Sequence, residues 1–274
     1  MSAGAYISAA DVRQALASVG VAPGDTLMLH ADALAAAQFP PLPQEERLAA
    51  LLRAMEEHLG PQGTLVLPTF TYSFTQDQEY DPAKSPSQVG MLGEHFRKQP
   101  GVLRSLDPLF SVAARGARAA ELTGADPGEC FGPDSFFARL HRLGGKIACL
   151  GCTLQVVTFL HYVERCLGVD YRYDKQFSGL VVRPDGRRRP ATVTYFVRDL
   201  ERDSESVLLP LQERLAAAGL LRRGRLGRVG LYCVDTNDFF EQTRELLALS
   251  PLALIREGAG HGPGDGHARC GGGR

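Results

Sequence analysis

The chain has 274 residues, of which 44 % are hydrophobic, and its 30 Lys and Arg residues nearly balance 31 Asp and Glu residues, leaving a net charge of −1. This length allows one large domain with a sizeable core, and the lack of a basic patch argues against a dedicated nucleic-acid binder. No run approaches the ~18 apolar residues of a membrane span, and residues Met1 to Tyr6 lack the features of a signal peptide. We therefore expect a cytoplasmic enzyme.

The first part of the sequence alternates amphipathic segments with short apolar runs, which is typical of α/β proteins. The predicted elements are a helix from Ser8 to Gly20, a strand from Thr26 to His30, a helix from Pro43 to Leu59, a strand from Thr64 to Pro68 and a helix from Met91 to Lys98. The intervening segment from Tyr72 to Pro86 is polar, aromatic and proline-containing, which indicates a surface loop over a cleft.

The middle and last parts of the sequence depart from this alternation. A strand is expected within Arg104 to Ala113, a helix capped by Ser135, a strand from Ile147 to Leu150, a hairpin of Phe177 to Val182 with Ala191 to Arg198, a helix from Glu205 to Gly219, a strand from Gly230 to Val234 and a helix from Asp235 to Leu249. The hairpin predicts a mixed central sheet flanked by helices in a single large α/β domain. We expect this domain to span residues 1–257 and the glycine-rich residues 258–274 to form a disordered tail.

Six cysteines are present, namely Cys130, Cys149, Cys152, Cys166, Cys233 and Cys270. Cys149 and Cys152 form a C-x-x-C motif, but neither a second such motif nor a pair of histidines completes a zinc site. We interpret Cys270 as a tail residue and the other five as small buried hydrophobic residues, and we predict no metal site.

The segment from Gly151 to Glu164 is the centre of the functional prediction. It follows a buried strand and is expected to turn into a helix, on which His161 and Glu164 share one face because they are three residues apart. An imidazole beside a carboxylate at a cleft can act as a proton acceptor with an orienting partner. The alternative is a structural histidine near a solvated carboxylate.

Five motifs in order resemble the antibiotic N-acetyltransferase family, whose best-known members are aminoglycoside 3-N-acetyltransferases. They are Leu29 to Leu34, Leu67 to Phe70, Pro86 to Gly90, Arg104 to Ala113 and Thr158 to Glu164. The resemblance implies an acetyl-CoA-dependent N-acetyltransferase in which His161 is the general base and Glu164 its partner. It covers Val12 to Val182 most clearly.

The resemblance also implies roles for residues of the cleft. Those expected to bind acetyl-CoA are Asp32, Ala33, Leu34, Thr69, Ser87, Gly90 and Ser111, and those expected near the amine substrate are Tyr72, Asp77, Gln155 and Thr158. For Thr69 and Ser111, hydroxyl capping at strand ends is the alternative. The expected partner is a small-molecule amine, without nucleic acid or membrane, and the expected state is a monomer or homodimer.

Several positions depart from the family pattern. Ala31 and Asp32 replace paired serines, and Asp107 replaces a histidine before proline. At a position where an acidic or amide residue is usual, Gln155 supplies the amide, so the carboxylate is lost. The segment after Glu164 also carries cations, namely Arg165, Arg172 and Lys175. These features together favour an amine on an amino sugar or natural-product intermediate that carries few extra positive charges.

Three alternatives stay open at this point. The chain could be a true aminoglycoside-resistance 3-N-acetyltransferase, a cysteine-dependent acyltransferase that uses Cys152 near His161, or a binding protein that keeps the fold without catalysis. Retention of both His161 and Glu164 argues against the last of these.

Overall fold

The computed structural model describes residues 6–124 and 128–258. The α-helices are α1 (Ala9–Ser18), α2 (Gln44–Leu59), α3 (Met91–Phe96), α4 (Ala119–Thr123), α5 (Phe136–Arg142), α6 (Phe159–Leu167), α7 (Leu209–Ala217) and α8 (Thr236–Leu249). The strands are β1 (Thr26–Ala31), β2 (Thr64–Pro68), β3 (Leu103–Arg104), β4 (Val112–Gly116), β5 (Lys146–Leu150), β6 (Arg172–Val182), β7 (Arg188–Arg198), β8 (Arg222–Leu226) and β9 (Val229–Asp235). Short 3₁₀ helices lie at Ala33–Gln38, Ser73–Gln76 and Leu154–Val156.

A seven-stranded mixed sheet in the order β3-β4-β2-β1-β5-β9-β8 forms the centre of the domain. Strand β1 is parallel to both β2 and β5, whereas the outer pairs are antiparallel. The prediction of a mixed sheet flanked by helices in one α/β domain is confirmed. Because β1, β2 and β5 run in the same direction, their carboxyl ends lie at one edge of the sheet, where open α/β sheets bind ligands.

Strand β1 shows why the sheet is buried on both faces. Its residues Thr26 to His30 are all buried, and alternate side chains point to opposite faces. Leu27 and Leu29 pack with the residues of α1 and α2 on one face, while Met28 packs with residues of α5 and α6 on the other. A capping box between Ser8 and Asp11 begins α1 as predicted.

The antiparallel strands are not the ones that the sequence indicated. The predicted hairpin exists, but β6 and β7 pair only with each other in a separate two-stranded sheet. The mixed character comes instead from β3 and β4 on one side and β8 and β9 on the other. The segment from Arg104 to Ala113 enters a strand as expected, because β4 begins at Val112. Before it, Asp107 accepts hydrogen bonds from the backbone N–H groups of Leu109 and Phe110 and forms a turn.

The loop between β2 and α3 is anchored to the hairpin through Tyr80. The Tyr80 N–H donates to Leu180 O at 2.9 Å, and its phenol donates to Ser105 O at 2.6 Å. Gly179 lies under Phe74 so closely that a Cβ there would be 2.6 Å from the Phe74 ring. The loop therefore packs as one unit with the separate sheet.

The cysteines are less uniformly buried than predicted. Cys130, Cys149 and Cys233 are buried, but Cys152 is half-buried and Cys166 is exposed. Cys152 follows a turn at the end of β5, and Cys166 is on the outer side of α6, which explains why both were misassigned. Cys270 and the rest of the predicted tail after Gly258 lie outside the described residues.

Among the residues described, no helix is long and apolar enough to cross a membrane, and no group of three or more His, Cys, Asp or Glu side chains could hold a metal ion.

Candidate active site

A cleft of about 570 Å³ opens at the carboxyl ends of β1, β2 and β5. This volume lies within the range of ordinary ligand sites, about 300 to 1,000 Å³. Its lining comprises His30, Ala31, Asp32, Ala33, Pro68, Phe70, Tyr72, Val89, Gly90, Met91, Cys152, Val156 and Thr158. Long, largely apolar walls with few polar groups suit the pantetheine arm of a CoA thioester.

Three of the predicted cofactor residues line this cleft, namely Asp32, Ala33 and Gly90. The Asp32 carboxylate accepts a hydrogen bond from the Leu34 N–H at 2.8 Å and so begins the 3₁₀ helix Ala33–Gln38. Leu34 itself is 64 % exposed beside this turn. Gly90 precedes α3 with φ +89°, a conformation that favours glycine.

Thr69 and Ser111 are not brought to the cleft. Both are fully buried, and the Thr69 hydroxyl donates to Ser111 O at 3.0 Å while the Ser111 hydroxyl donates to Thr69 O at 2.7 Å. Arg104 adds a bond from its Nε to the Thr69 hydroxyl at 3.1 Å. These contacts join the end of β2 to the start of β4, as expected for the strand-end alternative.

Ser87 also serves the local chain. Its N–H donates to Glu94 Oε2 at 2.7 Å, and its hydroxyl accepts from the Val89 N–H at 3.3 Å. Ser87 does not line the cleft, although its neighbours Val89 and Gly90 do.

His161 and Glu164 meet on α6 as their spacing predicts. His161 Nδ1 lies 3.0 Å from Glu164 Oε2. The His161 side chain is 20 % exposed, whereas that of Glu164 is fully buried. Since a carboxylate only accepts hydrogen bonds, this contact assigns the proton of a neutral imidazole to Nδ1 and leaves a lone pair on Nε2.

Tyr171 and Arg172 complete the surroundings of Glu164. The Tyr171 phenol donates to Glu164 Oε1 at 3.0 Å, and Arg172 Nε forms a 2.7 Å ion pair with Glu164 Oε2. Arg172 is also buried and donates to Ser206 Oγ at 3.0 Å. These contacts of Glu164 were not predicted from the sequence, because a charged residue such as Arg172 at the start of a hairpin strand carries no local sign of burial.

The pKa of His161 is lowered from its usual value. Burial is the main cause and the nearby Arg172 charge the second, and together they outweigh Glu164, which raises the pKa. Glu164 by itself favours the charged imidazole, but its effect is smaller than those of burial and Arg172. His161 is therefore neutral at pH 7, the form that can accept a proton.

A chain of aromatic rings connects His161 with the cleft. The Phe131 ring centre lies 5.5 Å from that of His161, Phe110 lies 4.8 Å from Phe131, and Tyr72 lies 5.7 Å from Phe110. Thr158 lines the cleft one helical turn before His161. His161 itself is not among the residues that line the cleft, and it is linked to the cleft through these rings and through Thr158, the N-cap of α6.

The four predicted substrate residues have different surroundings. Tyr72 and Thr158 line the cleft, and burial raises the pKa of Tyr72 to about 12. Gln155 instead bridges backbone groups, donating to Ser206 O at 2.6 Å and accepting from the Leu208 N–H at 3.0 Å. Asp77 is exposed at the end of the 3₁₀ helix Ser73–Gln76 and does not line the cleft.

His30 and Cys152 line the cleft although neither was predicted to bind the cofactor or substrate. Burial lowers the pKa of His30 to about 4, and its Nε2 is buried without a hydrogen-bond partner. His30 is the second-last residue of β1, and Cys152 follows the end of β5 by two residues. Both therefore lie where buried strands end at this edge of the sheet, which is the signal that could have identified them.

Another cavity, of about 760 Å³, lies between the Asp81 turn, the end of the hairpin and α4. None of the predicted site residues lines it. Its size exceeds that of the cleft, but the histidine, the strand ends and the predicted cofactor turns are all elsewhere, so we assign the chemistry to the cleft.

Known proteins resemble this chain over most of its length. The family model for aminoglycoside 3-N-acetyltransferases matches residues 28–248. Aminoglycoside N(3)-acetyltransferase IV from Salmonella sp. is 29 % identical over 88 % of this chain and 87 % of its own. A histidine-to-alanine mutant of aminoglycoside acetyltransferase AAC(3)-IVa, crystallised with a gentamicin, superimposes with a TM-score of 0.76 at 25 % identity and covers 93 % of this chain and 94 % of that one.

The structure of AAC-IIIb with CoA gives a TM-score of 0.74 at 25 % identity, over 89 % of this chain and 97 % of that one. The match of the family model extends over most of the sequence, from β1 to α8. The chain therefore belongs to the aminoglycoside 3-N-acetyltransferase family and is an acyltransferase.

Proposed function

We propose that this protein transfers an acetyl group from acetyl-CoA directly to a primary amine of an amino sugar, with His161 as the general base. The observation that carries the proposal is the 3.0 Å contact between His161 Nδ1 and the buried Glu164 carboxylate. It orients a neutral imidazole whose Nε2 can accept the proton that the amine loses on attacking the thioester.

The residues around the base supply its orientation and its charge balance. Glu164 is held by Tyr171 and Arg172, so the carboxylate is fixed before substrate arrives. When His161 takes up a proton, the buried site gains a positive charge next to Glu164, which stabilises the imidazolium. The Ala33 N–H at the end of β1 is the candidate for stabilising negative charge on the acetyl oxygen, because the neighbouring N–H groups of Asp32 and Leu34 already donate to Leu150 O and to the Asp32 carboxylate.

We propose the wall formed by Asp32, Ala33, Gly90 and Met91 as the site of the CoA thioester. All four line the cleft at the strand ends. AAC-IIIb, which shares the fold, has been crystallised with CoA. Thr69 and Ser111 have no part in this proposal because their hydroxyls bond to each other's backbone.

For the acceptor we propose an amino sugar of the aminoglycoside class. Two of the cations that argued against a polycationic acceptor are paired: Arg172 with Glu164 at 2.7 Å, and Arg165 with Glu129 at 3.3 Å and Asp174 at 3.2 Å. Aminoglycosides are bound by related enzymes of this fold. A cytoplasmic location and a monomeric or homodimeric state stay predictions.

Incubation with acetyl-CoA and separate amines, followed by mass spectrometry of amine and protein, tests this function. The panel should hold gentamicin, apramycin, glucosamine and a simple alkyl amine. We expect acetylated gentamicin or apramycin and unmodified protein. Acetylation of the protein at Cys152 would replace direct transfer by a cysteine-dependent route, and acetylation of glucosamine alone would restrict the acceptor to small amino sugars.

A further inference from the structure

Cys149 and Cys152 form a thiol pair at the inner wall of the cleft. Cys149 is on β5, paired in register with His30 of β1, and is fully buried. Gly151, with φ +73°, turns the chain so that Cys152 returns over the end of β1, where its thiol lies 3.6 Å from His30 O. Two residues lie between the cysteines in this turn, and Cys152 lines the cleft.

The two cysteines differ in the pKa of their thiols and in their access to the cleft, as an attacking thiol differs from a resolving thiol. The hydrogen bond from Cys149 lowers the pKa of Cys152, whereas the same contact and burial raise the pKa of Cys149. The thiolate is the reactive form in disulfide exchange. Cys152 is thus the more reactive thiol, and it is also the one that a molecule in the cleft can touch.

The proposed function brings a particular sulfur compound to this wall, because CoA ends in a thiol. We propose that Cys152 is a site of disulfide exchange with CoA disulfide and that Cys149 is its resolving thiol, so that oxidised cofactor reversibly converts the thiol pair at the cleft wall into a disulfide. This inference rests on the proposed position of CoA in the cleft, but not on the identity of the amine or on His161.

The exchange balances without a further oxidant. The Cys152 thiolate attacks one sulfur of CoA disulfide, the S–S bond breaks, and one CoA leaves as a thiolate that takes up a proton. Cys149 then loses its proton and attacks Cys152 Sγ, which forms the Cys149–Cys152 disulfide and releases the second CoA thiol. CoA disulfide is reduced to two thiols as the cysteine pair is oxidised.

The test uses the full chain with Cys166→Ser and Cys270→Ser, so that neither the exposed Cys166 nor Cys270, which lies outside the described residues, reacts. This parent and its Cys149→Ser and Cys152→Ser variants are incubated with CoA disulfide without reductant, quenched in acid, unfolded and labelled with a maleimide. We expect the parent to lose the labels of both Cys149 and Cys152, the Cys149→Ser variant to carry one CoA by intact mass, and the Cys152→Ser variant to stay unmodified.

Glutathione disulfide is the matched control, since it offers the same bond without the pantetheine and nucleotide. We expect it to react more slowly than CoA disulfide. An unmodified parent, modification of the Cys152→Ser variant, or equal rates with both disulfides would overturn the proposal. If Cys149→Ser does not fold, rapid acid quenching of the parent must reveal the mixed disulfide before it is resolved, and its absence counts against Cys149 as the resolving thiol.

The amine assay keeps the two proposals separable, because it is run with reductant present. Acetyl transfer without disulfide exchange leaves the function intact and removes this inference. If the protein exchanges selectively with CoA disulfide but acetylates no amine, the thiol site is supported and the proposed acetyl transfer is contradicted.

Discussion

His161 gains its orientation from a carboxylate that has no contact with solvent. Replacing His161 with Asn removes the proposed proton acceptor, and we expect kcat to fall by about 10²- to 10⁴-fold, the usual contribution of general acid–base catalysis. The affinity for acetyl-CoA should barely change, because the imidazole meets the amine proton. Steady-state kinetics and a direct cofactor titration measure the two effects.

His141→Asn is the control for loss of a partly buried imidazole, since His141 stacks on Phe240 away from the cleft. Near-full turnover by the His161→Asn variant at neutral pH would show that another group is the base.

Glu164→Gln tests the origin of the His161 pKa. The variant loses the carboxylate that raises this pKa and leaves the Arg172 charge that lowers it, so the acidic limb of the pH–rate profile should move to lower pH. We expect the wild-type limb below the ordinary histidine value of 6.5, because the pKa of His161 is lowered and the proposed base works when neutral. Activity is thus lost only as the pH falls through the lowered pKa.

Tyr171→Phe is the matched control for Glu164→Gln. It removes one hydrogen bond to Glu164 but keeps the carboxylate, so the limb should move less than in Glu164→Gln. An acidic limb that is unchanged in Glu164→Gln would mean that the limb reports a different group.

Thr69→Val separates a structural role from a cofactor role. The buried hydroxyl bonds to Ser111 O and accepts from Arg104, and its loss should cost about 1 to 3 kcal/mol in unfolding free energy. Acetyl-CoA affinity should not change. Thr75→Val, at an exposed hydroxyl that bonds to Tyr72 O, is the control and should stay within about 0.5 kcal/mol. Weaker cofactor binding at unchanged stability would restore the sequence-based interpretation of Thr69.

Individual site residues were predictable where local spacing decides their position. His161 and Glu164 share a helix face because of their separation, and Asp32 and Gly90 are turn residues at element ends. Arg172 was interpreted only as a charge near the acceptor, and its contact with Glu164 was not predicted because it depends on how the hairpin packs against α6. Such tertiary contacts have no signature in local sequence.

At the scale of elements, the hairpin depends on close packing at Gly179. A Cβ at this position would lie 2.6 Å from the Phe74 ring, so Gly179→Ala should push the hairpin from the Ser73–Gln76 helix and destabilise the fold by about 1 to 3 kcal/mol. Gly128→Ala is the control, because its Cβ would meet nothing within 4 Å. Equal unfolding midpoints in urea for the two variants would contradict tight packing between hairpin and loop.

Elements with strong apolar periodicity were predictable, and weakly apolar edge elements were not. The limits expected for β2 are those observed, and α2 has its expected end. Strand β8, with the sequence Arg-Arg-Gly-Arg-Leu, was missed because an edge strand needs little burial. Asp235 precedes α8 as predicted, but its carboxylate pairs with Arg222 instead of capping the helix.

At the scale of the whole molecule, buried histidines make stability depend on pH. Burial lowers the pKa of His30, His95, His141 and His161 in the folded protein. The unfolded chain therefore takes up protons first as the pH falls below 6.5. Stability should be full above this value and decrease toward the folded-state pKa values.

His30 should contribute most clearly, since its pKa falls from 6.5 to about 4. At about 1.4 kcal/mol for each pKa unit, it should account for about 2 to 3 kcal/mol of lost stability between about pH 7.5 and 4.5. Urea unfolding at both pH values should show a smaller loss in His30→Gln than in the wild type. Equal losses in both proteins would exclude His30 as the source.

The buried pair of Glu164 and Arg172 also shields the base from dissolved ions. Their side chains are 0 % and 2 % exposed, so counterions cannot approach either charge. Ions at physiological strength screen exposed charges beyond about 8 Å but act far less on buried pairs. Salt should therefore weaken surface pairs such as Arg165 with Asp174, whose side chains are 31 % and 45 % exposed, while the proton affinity of His161 stays nearly constant. We therefore expect the proposed base, His161, to accept protons from polycationic acceptors equally well in media of very different ionic strength.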